Sequence, residues 1–182
     1  MITVVSDTHG TDGHRLAGRT LTAVREAELV IHAGDFTTEA VYEAFVAEAG
    51  ADKEGEGEGE FVAVAGNSDG AAVRERAGTV RTVERAGVRF AVVHGHEHGE
   101  TARSLLGRQE GADVVVVGHS YRPGWQPAGP VGVLNPGSHA DPRGGRPAHA
   151  ELEARAEGLR GRLVTPDGDV LSAFDVAATG RE

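Results

Sequence analysis

The sequence predicts an α/β fold, and three observations carry that expectation. Short apolar, β-branched runs alternate with stretches of helical spacing. Five of the apolar runs stop abruptly at polar, glycine-containing loops. From His149 onward the pattern changes to alternating stretches, which reads as antiparallel strands rather than a second domain, so residues 1–182 are expected to form one domain.

The elements follow in order. Ile2 to Val5 is a buried strand ending in Ser6-Asp7-Thr8-His9-Gly10. Leu16, Leu21 and Val24 give His14 to Glu26 helical spacing. Leu29 to Ala33 is a second strand, ending in Gly34-Asp35, and Thr38 to Ala49 is a second helix. The Gly–Glu repeat from Lys53 to Glu60 has no apolar surface to bury and predicts a flexible acidic loop. Phe61 to Ala65 is a third strand, ending in Gly66-Asn67-Ser68-Asp69, with a short helix at Ala71 to Arg76. Arg81 to Arg85 and Val88 to Val93 are strands joined around Ala86-Gly87, the second ending in His94-Gly95-His96. Thr101 to Gln109 is a helix. Asp113 to Val117, the strongest strand signal, ends in Gly118-His119-Ser120-Tyr121. Val131 to Leu134 precedes Asn135-Pro136-Gly137-Ser138. The tail strands are His149 to Arg155 and Gly158 to Val164, followed by a turn at Thr165 to Asp169.

Composition narrows the chemistry. A hydrophobic fraction of 39% supports a core, and with only 4% aromatic residues Val, Ala and Leu must fill it. The absence of cysteine excludes disulfides, thiolate catalysis and Cys-ligated zinc or iron–sulfur sites. A net charge of −10 argues against non-specific nucleic-acid binding. Lys53 is the only lysine, a composition that suits either a high-salt organism or a GC-rich genome. No run approaches the ~20 apolar residues of a membrane helix. The first ten residues lack the basic and apolar regions of a signal peptide, which leaves the cytoplasm as the expected location.

Ligands of open α/β sheets bind beyond the carboxyl ends of the strands, so a single parallel sheet would bring all five polar clusters to one rim. Those clusters supply Asp7, His9, Asp35, Asn67, His94 and His119. Imidazole, carboxylate and amide oxygen together suit manganese, iron, nickel, cobalt or zinc, and are too rich in nitrogen for a calcium or magnesium cage. Two histidines and an amide can surround one ion, an Asp-x-His pair another, and a carboxylate can bridge them. Two ions about 3.5–4 Å apart are the arrangement used for in-line displacement at phosphorus. Gly34, Gly66, Gly95 and Gly118 flank the clusters, where the absence of a Cβ permits close approach.

Taken together, Ser6 to Gly10 (SDTHG), Ile31 to Asp35 (IHAGD), Gly66 to Asp69 (GNSD), His94 to His96 (HGH), Gly118 to Tyr121 (GHSY), Asn135 to Ser138 (NPGS) and Pro142 to Gly145 (PRGG) resemble the calcineurin-like metallophosphoesterases. The resemblance is to their small bacterial and archaeal phosphodiesterase branch, which includes relatives of the retromer phosphoesterase-like subunit. It runs from Met1 to about Val164. It implies a two-sheet β-sandwich flanked by helices in place of the single parallel sheet, with the antiparallel tail in the second sheet. It implies a phosphodiesterase acting on a small-molecule phosphate ester through a hydroxide activated by two divalent metal ions, manganese first and nickel, iron, cobalt or zinc as alternatives. Asp7 and His9 would hold the first ion, Asp35 would bridge, and Asn67, His94 and His119 would hold the second. Asn67, Asp69 and His96 form the catalytic set; Asn135, Gly137 and Ser138 are the candidates for contact with substrate. The resemblance also allows a homodimer. The alternative it carries is a catalytically weak or inactive metal-binding scaffold for protein interactions.

Two positions depart from the pattern. Tyr121 stands where the family has a second histidine ligand of the first ion. Three readings stay open: weak binding by Asp7, His9, Asp35 and water, ligation by a Tyr121 phenolate with preference for ferric iron, or compensation by His139. Ser68 stands where the branch has Cys and broader relatives a leaving-group histidine; serine is no acid at neutral pH, so slow turnover of poor leaving groups is expected. Asp69 can orient water or a neighbouring group, or cap the helix that follows. His96 can hold a metal-bound oxygen or phosphate, and Asn135 to Ser138 can offer backbone N–H groups to phosphate or form a plain turn. His32 is expected to be buried and orienting, and His14, His98 and His149 to lie at the surface.

Overall fold

The computed structural model describes residues 1–51 and 59–178. An apolar run buried on both faces must lie between two layers, and its alternation tells which residue meets which layer. In β1 (Ile2–Val5), Ile2 and Val4 enter one apolar cluster and Val5 another. In β2 (Leu29–His32), Leu29 and Ile31 face the first cluster and Val30 the second. β3 (Glu60–Ala63) completes this parallel trio. In β5 (Val88–Val93) and β6 (Val114–Val116), Val88, Phe90, Val92, Val114 and Val116 join the first cluster, while Ala91, Val93 and Val115 face a third.

These alternations define four layers. One sheet has six strands in the order β11-β10-β9-β1-β2-β3, where β9 is His149–Arg155, β10 Gly158–Val164 and β11 Val170–Ala177. The other has five in the order β4-β5-β6-β8-β7, where β4 is Val80–Arg85, β7 Gly124–Ala128 and β8 Val131–Asn135. The first cluster fills the space between the sheets. The second seals the six-stranded sheet under α1 (Gly18–Glu26), α2 (Glu39–Glu48) and α3 (Ala71–Ala77) through Val24, Val41, Phe45 and Val73. The third seals the five-stranded sheet under α4 (Glu100–Gln109) through Leu106. This is the two-sheet sandwich flanked by helices, and it replaces the single parallel sheet read from periodicity.

The tail does not complete a sheet separate from β1. β9 pairs antiparallel with β1, Thr3 opposite Glu151, so the tail extends the six-stranded sheet, while β5, β6 and β8 form the parallel heart of the other. β7 and β11 have no counterpart in the sequence reading. β7 carries Pro127, which a sheet admits at its edge, and it is the edge strand beside β8. Helix α1 starts at Gly18, four residues later than expected, because Arg15 has a left-handed backbone (φ 54°). Of the Gly–Glu loop expected over 53–60, residues 53–58 lie outside the described residues, and Glu60 already belongs to β3. Among the described residues, no helix is long and apolar enough to cross a membrane.

His149, expected at the surface, is completely buried. Its Nδ1 is 3.0 Å from Thr20 Oγ1 and its Nε2 is 3.0 Å from Glu151 Oε1. Arg19 grips the same carboxylate through Nε at 2.7 Å and Nη2 at 2.9 Å, and Arg162 adds a contact at 3.1 Å. A buried histidine with both nitrogens satisfied costs little to bury, which local sequence cannot reveal because one partner, Thr20, lies far along the chain.

Candidate metal centre

The loops after β1, β2 and β3 meet the loops after β5 and β6 where the two sheets end side by side. Backbone bonds lace them together: Asp7 N–H donates to Gly34 O, His9 N–H to Asp35 O, and Gly118 N–H to His94 O. Gly66 and Gly118 are required by this proximity. A Cβ on Gly66 would lie 2.1 Å from Asp35 Oδ1, and one on Gly118 would lie 2.0 Å from Ser6 Oγ and 2.7 Å from Asp7 Oδ2. Asp7, His9, Asp35, His119 and Tyr121 all have left-handed φ values between 46° and 65°. Such backbone strain in non-glycine residues persists where surrounding structure over-determines it, and here it gathers at one place.

The ligand atoms of Asp7, His9 and Asp35 lie within 4.8 Å of one another. Asp7 is fully buried, accepts from Ser6 Oγ at 2.6 Å and receives the His119 N–H at 3.0 Å on Oδ2. Burial raises its pKa to about 6, against the opposing pull of Ser6 and His94. Asp35 behaves oppositely. Burial works to raise its pKa, but the hydrogen bond and charge of His94, the Ser68 N–H and His9 outweigh it, and the carboxyl stays well below its ordinary range. Two buried carboxylates this close ask for a cation.

His94 supplies the second half. Its Nδ1–H donates to Ala33 O at 2.7 Å, which fixes the tautomer and turns Nε2 inward. Nε2 lies 3.1 Å from Asn67 Oδ1 and 3.3 Å from Asp35 Oδ2, two acceptors converging on one nitrogen. Burial works to lower the His94 pKa, but Asp35 and Asp7 outweigh it and raise it. The rings of His94 and His119 have centroids 5.3 Å apart. Burial first, and His94 next, lower the His119 pKa and keep it neutral, the state in which imidazole ligates. The donor set therefore fits divalent transition metal in chemistry and in convergence.

The Tyr121 hydroxyl and His9 Nε2 share a hydrogen bond at 2.7 Å, and Arg143 lies over the Tyr121 ring at 4.3 Å. Burial and Asp7 push its pKa to about 12, so the phenol is protonated in this geometry. His139 is buried, its Nε2 3.2 Å from His14 O and its ring edge-on to Phe45, and it does not belong to the Asp7–His9–Asp35 group. His32 is buried, stacked on Phe36, and accepts from Gly34 N–H.

The remaining sites divide between opening and frame. His96 is exposed, its ring 5.5 Å from that of His94 and 6.1 Å from that of His119. Asp69 is buried and accepts three backbone N–H groups, from Asp35 at 3.0 Å, Gly66 at 2.7 Å and Thr37 at 2.7 Å. Gly70, not Asp69, is the N-cap of α3. Asn135 donates to Gly118 O and Ser120 Oγ and accepts from Gly137 N–H. Ser138 Oγ donates to Asp7 O at 2.7 Å and accepts from Asp141 N–H. Ser68 and Ser6 were not picked out as holders of the carboxylates: Ser68 gives its N–H to Asp35 Oδ1 at 2.8 Å and its hydroxyl to Oδ2 at 3.1 Å. A lone serine carries no pattern that would have revealed this.

Comparison with known proteins agrees with this architecture. A probable metallophosphoesterase of Methanothermobacter thermautotrophicus is 29% identical over 179 residues, covering 96% of this chain and 98% of the relative. In fold, the chain is similar to Vps29 of Entamoeba histolytica solved in complex with zinc, with a TM-score of 0.71 at 21% identity over 96% of this chain and 98% of that one. It is also similar to an archaeal phosphodiesterase, with a TM-score of 0.62 at 22% identity over 90% and 99% of the two chains. The model of the calcineurin-like phosphoesterase superfamily domain matches residues 1–156, and the chain belongs to that superfamily.

Proposed function

We propose that this protein is a metal-dependent phosphodiesterase that works with two divalent transition-metal ions, manganese foremost. The observation that carries the reading is the convergence of Asn67 Oδ1 and Asp35 Oδ2 on His94 Nε2, directly beside the Asp7–His9–Asp35 group. Asp7 and His9 would hold one ion, Asn67, His94 and His119 the other, with Asp35 between them. Such ions supply Lewis acidity and an ionised water near neutral pH for in-line displacement at phosphorus.

The residues of the chain set the stage for that chemistry. Ser68 and Asp69 fix Asp35 from both ends, through its carboxylate and its backbone N–H. Asp69 in this reading is a positioning residue. Exposed His96 stands at the opening, placed to meet the phosphate or the leaving oxygen. Asn135, Gly137 and Ser138 are proposed to meet the substrate phosphate from a segment tied to the Asp7 and His119 loops. The Ser68 hydroxyl is committed to Asp35, so departure of a poor leaving group is slow. The proposed substrate is a small phosphate ester met in the cytoplasm, and the family resemblance allows a homodimer.

One observation favours a second reading, a metal-binding scaffold for protein interactions: the Tyr121 hydroxyl is hydrogen-bonded to His9 Nε2, so a ligand of the first ion is already engaged. The structural likeness to Vps29 of Entamoeba histolytica supports keeping it. Hydrolysis of bis(p-nitrophenyl) phosphate separates the two. Metal-stripped protein is supplied in turn with manganese, nickel, iron, cobalt and zinc. The enzyme reading expects metal-dependent turnover that is lost in Asn67→Ala and His94→Ala. Absence of turnover with every metal, in folded protein, would overturn it in favour of the scaffold.

A further inference from the structure

A cavity of about 230 Å³ opens beside the loop that carries His119. Ser120 is in its wall together with Arg103, Arg122, Gln126 and Asn135. Neither arginine has a carboxylate partner among the described residues, in a chain with 28 acidic residues against 18 arginines and lysines. Arg122 is exposed and makes no hydrogen bond to described residues, so its donors are free for a ligand. Arg103 Nη2 donates to Gly95 O at 3.3 Å, while its Nε–H is buried with no hydrogen-bond partner.

The cavity is close to the metal centre. Gly95 lies between His94 and His96, and a Cβ placed on it would stand 3.4 Å from Arg103 Nη2. Two guanidinium groups with a serine hydroxyl and a glutamine amide are the donors suited to a tetrahedral oxyanion, which arginine can grip through two N–H groups at once.

We propose that this cavity receives a second phosphate of the substrate, which makes the substrate class a phosphodiester bearing a further phosphate group. The inference deepens the phosphodiesterase reading and rests on it for the reaction. The anion site itself is a matter of binding and can be tested apart from turnover.

The test is calorimetric titration of the manganese-loaded full chain with thymidine 3′,5′-bisphosphate and with thymidine 5′-monophosphate. The bisphosphate is expected to bind about tenfold more tightly, the gain of charge-assisted hydrogen bonds to one additional phosphate. Arg122→Gln and Arg103→Gln are expected to bring the ratio of the two affinities close to one, and the ratio cancels general losses at the metal centre. Arg108→Gln, at an exposed position of the same helix as Arg103, is expected to keep the preference. Equal affinities in the unaltered protein, or a preference that survives both substitutions in the cavity, would overturn the inference. A preference that behaves as expected, in folded protein that fails to hydrolyse bis(p-nitrophenyl) phosphate with any of the five metals, would sink the phosphodiesterase reading and leave the anion site standing.

Discussion

The hydroxyl of Tyr121 and Nε2 of His9 are 2.7 Å apart, and their rings stack with centroids separated by 5.7 Å. Burial and the neighbouring Asp7 hold the phenol protonated, with its pKa at about 12. Its bond to His9 engages that nitrogen, so an ion held there by Asp7, His9 and Asp35 must first break the Tyr121–His9 hydrogen bond.

Replacing Tyr121 by a ligand should remove that cost. In Tyr121→His the weaker of the two ions is expected to bind about tenfold more tightly or better, in the range that neighbours of metal ligands command. Tyr121→Phe should give a smaller gain. Competition with a chromogenic chelator measures both, and an unchanged affinity in Tyr121→His would count against that cost.

Gly118→Ala introduces a methyl group 2.0 Å from Ser6 Oγ and 2.7 Å from Asp7 Oδ2, with Ala33 O also near at 3.1 Å. The loop must shift, and Asp7 with it. Metal affinity is expected to fall at least about tenfold, while Gly124→Ala, where a Cβ meets nothing within 4 Å, leaves it unchanged. Parallel metal titrations of the two variants test this.

Asp69→Ala removes the common acceptor of three backbone N–H groups in two loops. A loss of about 3 kcal/mol in unfolding free energy is expected, with weaker metal binding, because each buried unpaired donor costs about 1–3 kcal/mol. Urea unfolding measures it. If Asp69 acted on substrate alone, turnover would fall and the urea midpoint would not move.

The buried carboxylate of Glu151 links stability to acid. Burial works to raise its pKa, but hydrogen bonds from His149 and Arg19 hold it at about 2. A folded-state pKa below the unfolded value near 4.5 means a contribution that is complete above about pH 4.5 and lost as pH falls toward 2. The loss is on the order of 3 kcal/mol. Urea midpoints at pH 6, 4 and 3 should fall steeply in the unaltered chain and much less in Glu151→Gln, which starts lower.

What could be read from the sequence follows from where its signals are local. β1, β2, β5 and β6 are buried on both faces, so they are continuous apolar runs with a polar stop, and both the strands and the clusters at their ends are legible. β7, with Gly124 and Pro127, and β11, with its exposed alternation, carry weak patterns at the sheet edges. The division of the strands between two sheets leaves no periodic trace; only the resemblance to a family supplied it. Asp7, His9, Asp35 and His94 could be picked out because their types are rare together. The groups that hold them, Ser6, Ser68 and the Ala33 carbonyl, could not, because nothing in a lone serine or a carbonyl announces its partner. His149 was misplaced for the same reason: Glu151 is near in sequence, but Thr20 is 129 residues away.

The bonds at the metal centre also cross from one sheet to the other: His94 to Ala33, the His119 N–H to Asp7, Ser138 to Asp7. Closing Tyr121 onto His9 spans 112 residues. Joining such distant segments costs loop-closure entropy. The six-stranded sheet alone carries Asp7, His9, Asp35 and Asn67, and the other sheet carries His94 and His119. An ion bound by both groups would tie one sheet to the other and hold that seam shut against unfolding.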